Sequence, residues 1–234
     1  PTKKTNYCQI FRTVFGTTKT AEVTKARTGN AYMNDKKRKM FDHSNKMEWA
    51  WLFGQAYEDT TGSFPKRFTA GMRESITTNV TIFTTSPTED TFLTALTTMF
   101  NYGKDSMAGT ERIAMAGNGF LNNLNKIARN SSSSRINFDG VIKIYGMELM
   151  KWVLPQGTIA VRTHPLLNTH TAKFTNSAWF LDFSNIKYRP LRDTKFEDDV
   201  QDKGEDARKG HWTTEAGLEV DHEVTMAYMG NFVV

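Results

Sequence analysis

The sequence has little cysteine and no long apolar run. A single cysteine, Cys8, among 234 residues excludes an internal disulfide framework and agrees with a reducing compartment. No apolar run reaches the roughly 20 residues that a bilayer-spanning helix needs, and no secretory leader is recognisable. We therefore expect a soluble protein that is intracellular when it is synthesised and does not associate with membranes.

Signatures of catalysis and cofactor binding are also missing. The sequence contains no nucleophile elbow and no zinc-protease motif. The glycine-rich turn at residues 117–119 has Asn122 where a dinucleotide-binding loop needs a third small residue. We interpret this turn as an ordinary strand-to-helix connection. The sequence therefore predicts no cofactor and disfavours an enzyme.

Candidate metal ligands are too few or wrongly spaced. His164 and His170 lie six residues apart, and no third ligand follows at a zinc-site spacing. His222 lies between two acidic residues, but neighbours on a strand point to opposite faces, so both cannot orient it. In the acidic segment 197–206, Lys203 takes the place of a calcium-binding oxygen. We predict no metal or catalytic site, and interpret the segment as a solvated loop or a charged contact between subunits.

The composition is that of a globular protein. Hydrophobic residues make up 38% and aromatic residues 12% of the chain, which is long enough for one large domain or two small interlocked ones. The net charge of +5 is modest. Such a charge indicates a nucleic-acid partner only where it is concentrated on one surface.

Residues 7–33 mix β-branched and aromatic residues around a central glycine, a pattern that predicts two strands meeting at a loop. Apolar side chains fall on both faces, because Ile10 and Val14 alternate with Phe11 and Phe15. A two-stranded ribbon is not stable alone, so we expect its own chain or a neighbour to cover it. The ribbon residues expected to make such contacts are Ile10, Phe11, Val14, Phe15, Lys19 and Val23.

The longest helical pattern covers residues 35–57. Asp35 is the expected N-cap, and apolar residues recur at three- and four-residue steps along one side. The residues expected to form this buried seam are Met40, Met47 and Trp51.

Four successive cations follow the expected cap of this helix: Lys36, Lys37, Arg38 and Lys39. The first turn of a helix favours acidic residues, because the positive end of its dipole lies there. Two interpretations stay open. The cations form a solvated helix start, or they face phosphates or a neighbouring subunit.

The rest of the sequence predicts a mixed α+β protein. A helix is expected from an N-cap at Ser86, with Pro87 in its first turn and Glu89 completing a capping box. Its apolar face contains Phe92, Leu93, Leu96, Met99 and Phe100. A second helix is expected at 120–129, and strands at 76–84, 112–116, 141–145, 158–162 and 178–183. Two closing strands, 215–221 and 224–229, are expected to pair with each other.

Several stretches resemble the sequence motifs of one protein family. They are NYCQIF, VFGTTKTAEV, KMEWAWLFGQ, PKRFTAGMRESITTN and the C-terminal run from LDFSNIKYRP to VTMAYMGNF. Together they are similar to the SU-ten-like major head proteins of tailed phages, which have the Hong Kong 97-like capsid fold. The resemblance covers both ends and about half of the chain, and is weakest over residues 101–177.

The resemblance implies a domain layout. Residues 1–33 would form a short N-terminal segment and the extended ribbon, or E-loop, that lies over a neighbouring subunit. Residues 34–85 would form the spine helix and peripheral domain, 86–179 mostly the axial domain, and 180–234 the return to the peripheral domain with the closing strands. The family usually has an N-terminal arm before the ribbon. Little precedes Tyr7 here, so the arm is expected to be short or to have been removed.

The resemblance also implies a function. The expected function is that of a major capsid protein, assembled in the host cytoplasm into an icosahedral virion shell around double-stranded DNA. Its expected partners are further copies in hexamers and pentamers, non-specifically bound DNA, and portal, scaffold or decoration proteins. Replacing Phe11 and Phe15 with serine is expected to impair assembly but not folding, unless both rings belong to the intrachain core. The alternatives are a nucleic-acid-binding protein that uses the basic helix start and, last, an enzyme.

Overall fold

The computed structural model describes residues 4–24, 29–102, 111–130, 137–144, 147–154, 156–169 and 172–233. The helices in these residues are α1 (Lys19–Val23), α2 (Ala31–Phe53), α3 (Met72–Ser75), α4 (Glu89–Phe100), α5 (Asn118–Asn130), α6 (Pro165–Thr169) and α7 (Ala172–Thr175). The strands are β1 (Gln9–Thr18), β2 (Tyr57–Asp59), β3 (Lys66–Phe68), β4 (Val80–Ile82), β5 (Glu111–Ala116), β6 (Asn137–Ile144), β7 (Met147–Leu154), β8 (Gly157–Thr163), β9 (Ala178–Leu181), β10 (Ile186–Glu197), β11 (Ala207–Val220) and β12 (Ala227–Gly230). This mixture of elements confirms the predicted α+β class.

The chain forms two compact units. The first unit contains Pro1–Glu74 and Lys187–Glu219, and the second contains Ser75–Ile186 and Val220–Val234. The last segment of the chain therefore groups with the central residues. The division into peripheral and axial domains at residues 34–85, 86–179 and 180–234 stays a prediction.

The first unit is built on a three-stranded sheet in the order β1-β11-β10. β1 pairs antiparallel with β11 along its whole length, from Gln9 opposite Ala216 to Thr18 opposite Ala207. The predicted hairpin is therefore wrong in the described residues: β1 is followed by α1, whose first turn is capped by the Thr18 side chain. Pairing with β11 leaves β1 with a strict alternation of buried and exposed residues.

α2 begins and ends earlier than predicted. The Asn30 side chain accepts a hydrogen bond from the backbone N–H of Met33 and so caps the helix, which leaves Asp35 inside it. At the other end, the Gly54 N–H donates to the Ala50 carbonyl over 2.9 Å. A Cβ on Gly54 would lie 2.5 Å from backbone oxygens of Ala50 and Thr69, so this tight stop requires glycine. The four cations consequently lie beyond the first helical turn, which removes the conflict with the helix dipole.

The second unit contains a mixed sheet of seven strands in the order β4-β12-β9-β5-β8-β7-β6. β5 runs parallel to β8 and β4 parallel to β12, while the other pairs are antiparallel. Residues of α4 and α5 share one buried cluster with the strands. At its centre the ring of Phe92 stacks on that of Trp152, with centroids 5.4 Å apart and planes inclined by 3°. The second unit thus has a layered core of helices on a sheet.

α4 confirms the predicted apolar face but corrects its cap. Phe92, Leu96 and Met99 are fully buried. The N-cap is Thr88, whose hydroxyl forms a capping box with Thr91, so the expected cap at Ser86 with Glu89 is wrong. Ser86 with Glu89 and Thr88 with Thr91 have the same three-residue spacing, so spacing alone does not distinguish the two candidate caps.

The predicted pairing of the two closing strands is wrong. β11 pairs with β1 and β10 in the first unit, whereas β12 pairs with β4 and β9 in the second. Between them, His222 takes a left-handed backbone conformation (φ 46°) before a short 3-10 turn at Glu223–Thr225. β10 was not predicted, because nearly all of its residues are exposed and give no periodic apolar signal.

A buried arginine organises the turns of the second unit. Arg112 on β5 is 1% exposed, and its Nε donates to the Thr225 carbonyl over 2.8 Å. The Asp182 carboxylate lies 3.6 Å away and also accepts from the Asn185 amide over 2.9 Å. Burial lowers the pKa of Arg112, while Asp182 opposes that shift. This pair fixes the turns at 182–186 and 221–225 against β5.

Candidate assembly surface

The inner face of β1 belongs to the core of the first unit. Phe11 and Phe15 are only 6% and 7% exposed. The Phe11 ring lies 5.5 Å from that of Trp51, and Phe15 lies 5.2 Å from Tyr32 and 6.0 Å from Phe196. The expectation that Phe11 and Phe15 serve assembly but not folding is therefore corrected: both rings are intrachain core residues.

The outer face of β1 has a different composition. Ile10 and Val14 are 54% and 55% exposed, and Arg12 lies between them. The Arg12 Nη2 atom lies 3.1 Å from Nε2 of His211. The His211 Nε2 atom also lies 3.1 Å from a Glu197 carboxylate oxygen. Two aliphatic side chains thus flank a charged group that the neighbouring strands hold in place. We call Ile10, Arg12 and Val14 the outer β1 face.

α1 places the other two predicted ribbon residues. Lys19 is exposed and lies 3.7 Å from the Asp206 carboxylate, a contact that solvent weakens. Val23 is among the most exposed apolar residues described. α1 contains no buried residue, so neither Lys19 nor Val23 belongs to the core of the first unit.

The inner face of β1 also carries a polar bridge that sequence reasoning missed. His43 on α2 is buried, with Nδ1 3.1 Å from the Thr13 hydroxyl and Nε2 2.9 Å from the Thr214 hydroxyl. Burial, with a smaller contribution from Lys46, lowers the pKa of His43 below its usual value of 6.5. The neutral imidazole therefore ties α2 to β1 and β11. The only sequence signal was its helical spacing from Tyr32 and Ala50, which are also buried.

The seam predicted on α2 is partly wrong. Met40 is half exposed and lies outside the buried face of the helix. Met47 is half-buried. Trp51 packs against Phe11 and also lies 5.9 Å from the Tyr188 ring. The buried positions are Tyr32, His43, Ala50 and Leu52.

The structure divides the run of four cations. The Lys36 ammonium lies 3.6 Å from the centre of the Phe196 ring, a cation–π contact within the first unit. Lys39 pairs with Asp42 over 2.9 Å. Lys37 and Arg38 are exposed, and among the described residues neither has an ion pair. Only these two are available to an external partner.

The loop between β10 and β11 is anchored at its start. Arg208 donates to Asp198 over 2.6 Å, contacts Glu22 over 3.1 Å, and lies 4.3 Å from the centre of the Tyr32 ring. The Tyr32 hydroxyl also donates to Asp198. The hydrogen bond from Arg208 is the main reason that the pKa of Asp198 falls to about 2. Burial, together with Asp198, raises the pKa of Tyr32 to about 12.

The other sequence candidates have structural explanations. The Asn118 N–H at the start of α5 donates to the Asn168 side chain over 2.7 Å, and a Cβ on Gly117 would lie 2.2 Å from the Thr175 carbonyl. The chain itself therefore fills the place of a phosphate. His164 is buried in the second unit, and His170 lies outside the described residues. Across the described ranges no three His, Cys, Asp or Glu residues cluster as metal ligands, and no helix is long and apolar enough to cross a membrane.

The fold is similar to that of several solved structures. A structure from Mycobacterium phage Patience has a TM-score of 0.63 at 8% identity, covering 98% of this chain and 70% of that one. The holo-SrpI encapsulin complex from Synechococcus elongatus PCC 7942 also gives 0.63 at 8% identity, covering 95% and 73%. The capsid of Myoviridae phage XM1 gives 0.57 at 10% identity, covering 96% and 73%. These likenesses define the fold, and they confirm the predicted Hong Kong 97-like class.

Sequence similarity defines the family within that fold. The model of the SU10 major capsid protein family matches residues 1–232, and the chain belongs to this family, as its motifs predicted. The major capsid protein of Pseudomonas phage PaMx41 is 25% identical in an alignment that covers 92% of this chain and 56% of that protein. The chain thus spans about half the length of this curated relative.

Proposed function

We propose that this protein is the shell subunit of a tailed phage, and that its copies assemble into an icosahedral capsid around double-stranded DNA. The observation that carries the proposal is the family match over residues 1–232. In this proposal the role is structural, the protein is not an enzyme, and it needs no cofactor. Hexamers and pentamers of the chain would form in the host cytoplasm and become part of the virion.

The outer β1 face supports this proposal. A shell subunit needs an interface of on the order of 1,000 Å² or more with its neighbours. Ile10 and Val14 expose aliphatic surface on an ordered strand beside the charged contact of Arg12 with His211. Arginine is enriched in protein–protein interfaces, and the aliphatic surface on either side of Arg12 can be buried there. We propose that a neighbouring copy covers this face, which keeps the assembly role of Ile10 and Val14 but not that of the two phenylalanines.

DNA is proposed as a non-specific partner. Counterion release lets a few lysines and arginines offset phosphate charge without reading sequence. The net charge of +5 suits such weak contacts. The alternative function, a dedicated nucleic-acid-binding protein using the basic helix start, is less well supported, because Lys36 and Lys39 are engaged within the first unit. Portal, scaffold and decoration proteins are proposed as further partners on the family resemblance alone.

Electron microscopy of the expressed chain tests the proposed function. Closed shells, or rings of five and six copies, are the expected result. Particles should also be searched for in cells that express the protein, since assembly can depend on conditions inside the cell. A chain that stays strictly monomeric under every condition would contradict the proposal. Duplex binding by that monomer, with an affinity that falls steeply with salt, would favour the nucleic-acid-binding alternative.

A further inference from the structure

The exposed residues of α2 include an unusual mixture of side chains. Met33, Met40 and Phe41 are 56%, 50% and 67% exposed. At 100° per residue, Phe41 lies nearly opposite the buried His43, and Lys37 and Arg38 lie on either side of Phe41. Met33 and Met40 lie on the Lys37 side of the helix, about 80° and 100° from Phe41. We call Met33, Lys37, Arg38, Met40 and Phe41 the outer α2 patch.

The composition of the outer α2 patch favours a protein partner over DNA. A phosphate backbone would engage Lys37 and Arg38 and leave the methionine and phenylalanine side chains in water. A protein surface can cover both kinds of group, and Met, Phe and Arg are enriched in interfaces. Because the two cations have no ion pair within the described chain, such a partner should be acidic and should carry some apolar surface.

The chain itself offers a surface of this chemistry. Residues 199–206 contain four acidic residues and one lysine, and we call them the acidic loop. The Asp199 carboxylate is 70% exposed and lies 3.8 Å from Arg208, while Asp202 is exposed and has no ion pair among the described residues. Val200 beside them is also exposed and supplies apolar surface. Arg208 and Asp198 anchor the start of this loop, and Asp202 takes no part in that anchor.

We propose that the outer α2 patch of one copy binds the acidic loop of a neighbouring copy. Lys37 and Arg38 then meet Asp199 and Asp202, and Val200 packs among the methionine and phenylalanine side chains. Because the two surfaces differ, the contact is head to tail, which generates rings when the rotation closes. The inference rests on the proposed function, since its partner is a second copy of this chain.

Charge reversal on each surface tests the contact. The double variant Lys37→Glu/Arg38→Glu should reduce the assembled fraction by at least tenfold, and so should Asp199→Lys/Asp202→Lys. Combining all four substitutions should restore most of the assembly, because opposite charges meet again across the contact. The matched control Lys66→Glu/Lys195→Glu changes the net charge equally at exposed sites of the first unit and should assemble like the wild type. Circular dichroism of the unassembled chains checks that each variant is folded.

A cross-link provides a second readout that does not need closed shells. A carbodiimide joins lysine to carboxylate without a spacer, and mixing isotopically light and heavy chains identifies links between copies. A link from Lys37 to Asp199 or Asp202 of another copy is expected in oligomers of any size. Wild-type shells or rings without this link would overturn the inference but not the proposed function. The inference would also be overturned if the four-substitution variant assembled no better than either double variant. The same holds if Lys37→Glu/Arg38→Glu assembled normally but enclosed less DNA. A strictly monomeric wild type would overturn both.

Discussion

The two faces of β1 differ in what covers them, although they share one backbone. On the inner face Phe11 and Phe15 lie under α2 and β10, and Thr13 bonds to His43. On the outer face Ile10 and Val14 remain half exposed around Arg12. The inner face therefore stabilises the unit, and the outer face is the one that we propose a neighbouring copy covers. Aromatic residues on a strand do not by themselves mark an interface, because here the larger rings serve the fold.

The largest expected effect comes from the inner face. Replacing Phe11 or Phe15 with alanine should lower the free energy of unfolding by about 3–5 kcal/mol, since each removes a buried ring and leaves a cavity. Thermal unfolding of the unassembled chain, followed by circular dichroism, measures the loss. A folded variant of near wild-type stability that cannot assemble would reverse the assignment of the two faces.

A smaller effect is expected at the polar bridge. His43→Ala leaves the Thr13 and Thr214 hydroxyls without this partner, which should cost about 1–3 kcal/mol. Because the folded protein lowers the pKa of His43, the unfolded chain binds its proton more readily. Stability from this group is complete above the usual pKa of 6.5 and falls as the pH drops through the lower folded value.

The variant His43→Gln separates the two parts of that prediction. The glutamine amide can donate and accept hydrogen bonds but does not titrate. In this variant the free energy of unfolding, measured with denaturant, should therefore change less between pH 7 and pH 5 than it does in the wild type. An equal pH dependence in His43→Gln and the wild type would show that other groups control unfolding in that range.

The loop between β10 and β11 should respond at lower pH and more weakly. Asp198 has a pKa of about 2 in the folded chain against 3.8 ordinarily, so its stabilising effect is present above pH 3.8 and lost between there and pH 2. Asp198→Asn should flatten the fall in melting temperature over that interval. Asp202→Asn is the matched control in the same loop, and a similar flattening in both would mean that Asp198 has no special part.

The smallest effect on stability belongs to the outer face. The double variant Ile10→Ser/Val14→Ser should change the free energy of unfolding by within about 0.5 kcal/mol per site, because both side chains are already half in water. Its assembled fraction, measured by sedimentation, should nevertheless fall strongly. Normal assembly of this variant would remove the outer β1 face from the proposed interfaces.

Local signals in the sequence predicted the second unit better than the first. The apolar face of α4 repeats at helical spacing, so Phe92, Leu96 and Met99 could be assigned to the core directly. The partner of β1 could not be found in this way, because Arg12 and His211 are 199 residues apart in sequence. The local pattern of residues 7–33 favoured a hairpin, whereas in the structure β1 pairs with the distant strand β11.

The candidate site was predictable only in outline. The motifs identified the family, and the alternation in β1 separated the residues of its two faces. Which of the two faces is buried depends on where α2 packs. The cap at Asn30 rather than Asp35 extends the helix start, and the buried side then contains Tyr32 and His43 in place of Met40. Which of the four cations are free could not be read from the sequence, because it depends on Phe196 and Asp42.

The pairing of β1 with β11 also sets the order of events during synthesis. Phe11 lies opposite Thr214, so the first unit's sheet cannot form until residues beyond 200 have left the ribosome. β1 therefore has no strand to pair with until β11 has been synthesised. A chain that ends before β11 would lack the partner that orders β1. The surface that we propose a neighbour covers therefore depends on two segments that are far apart in the sequence.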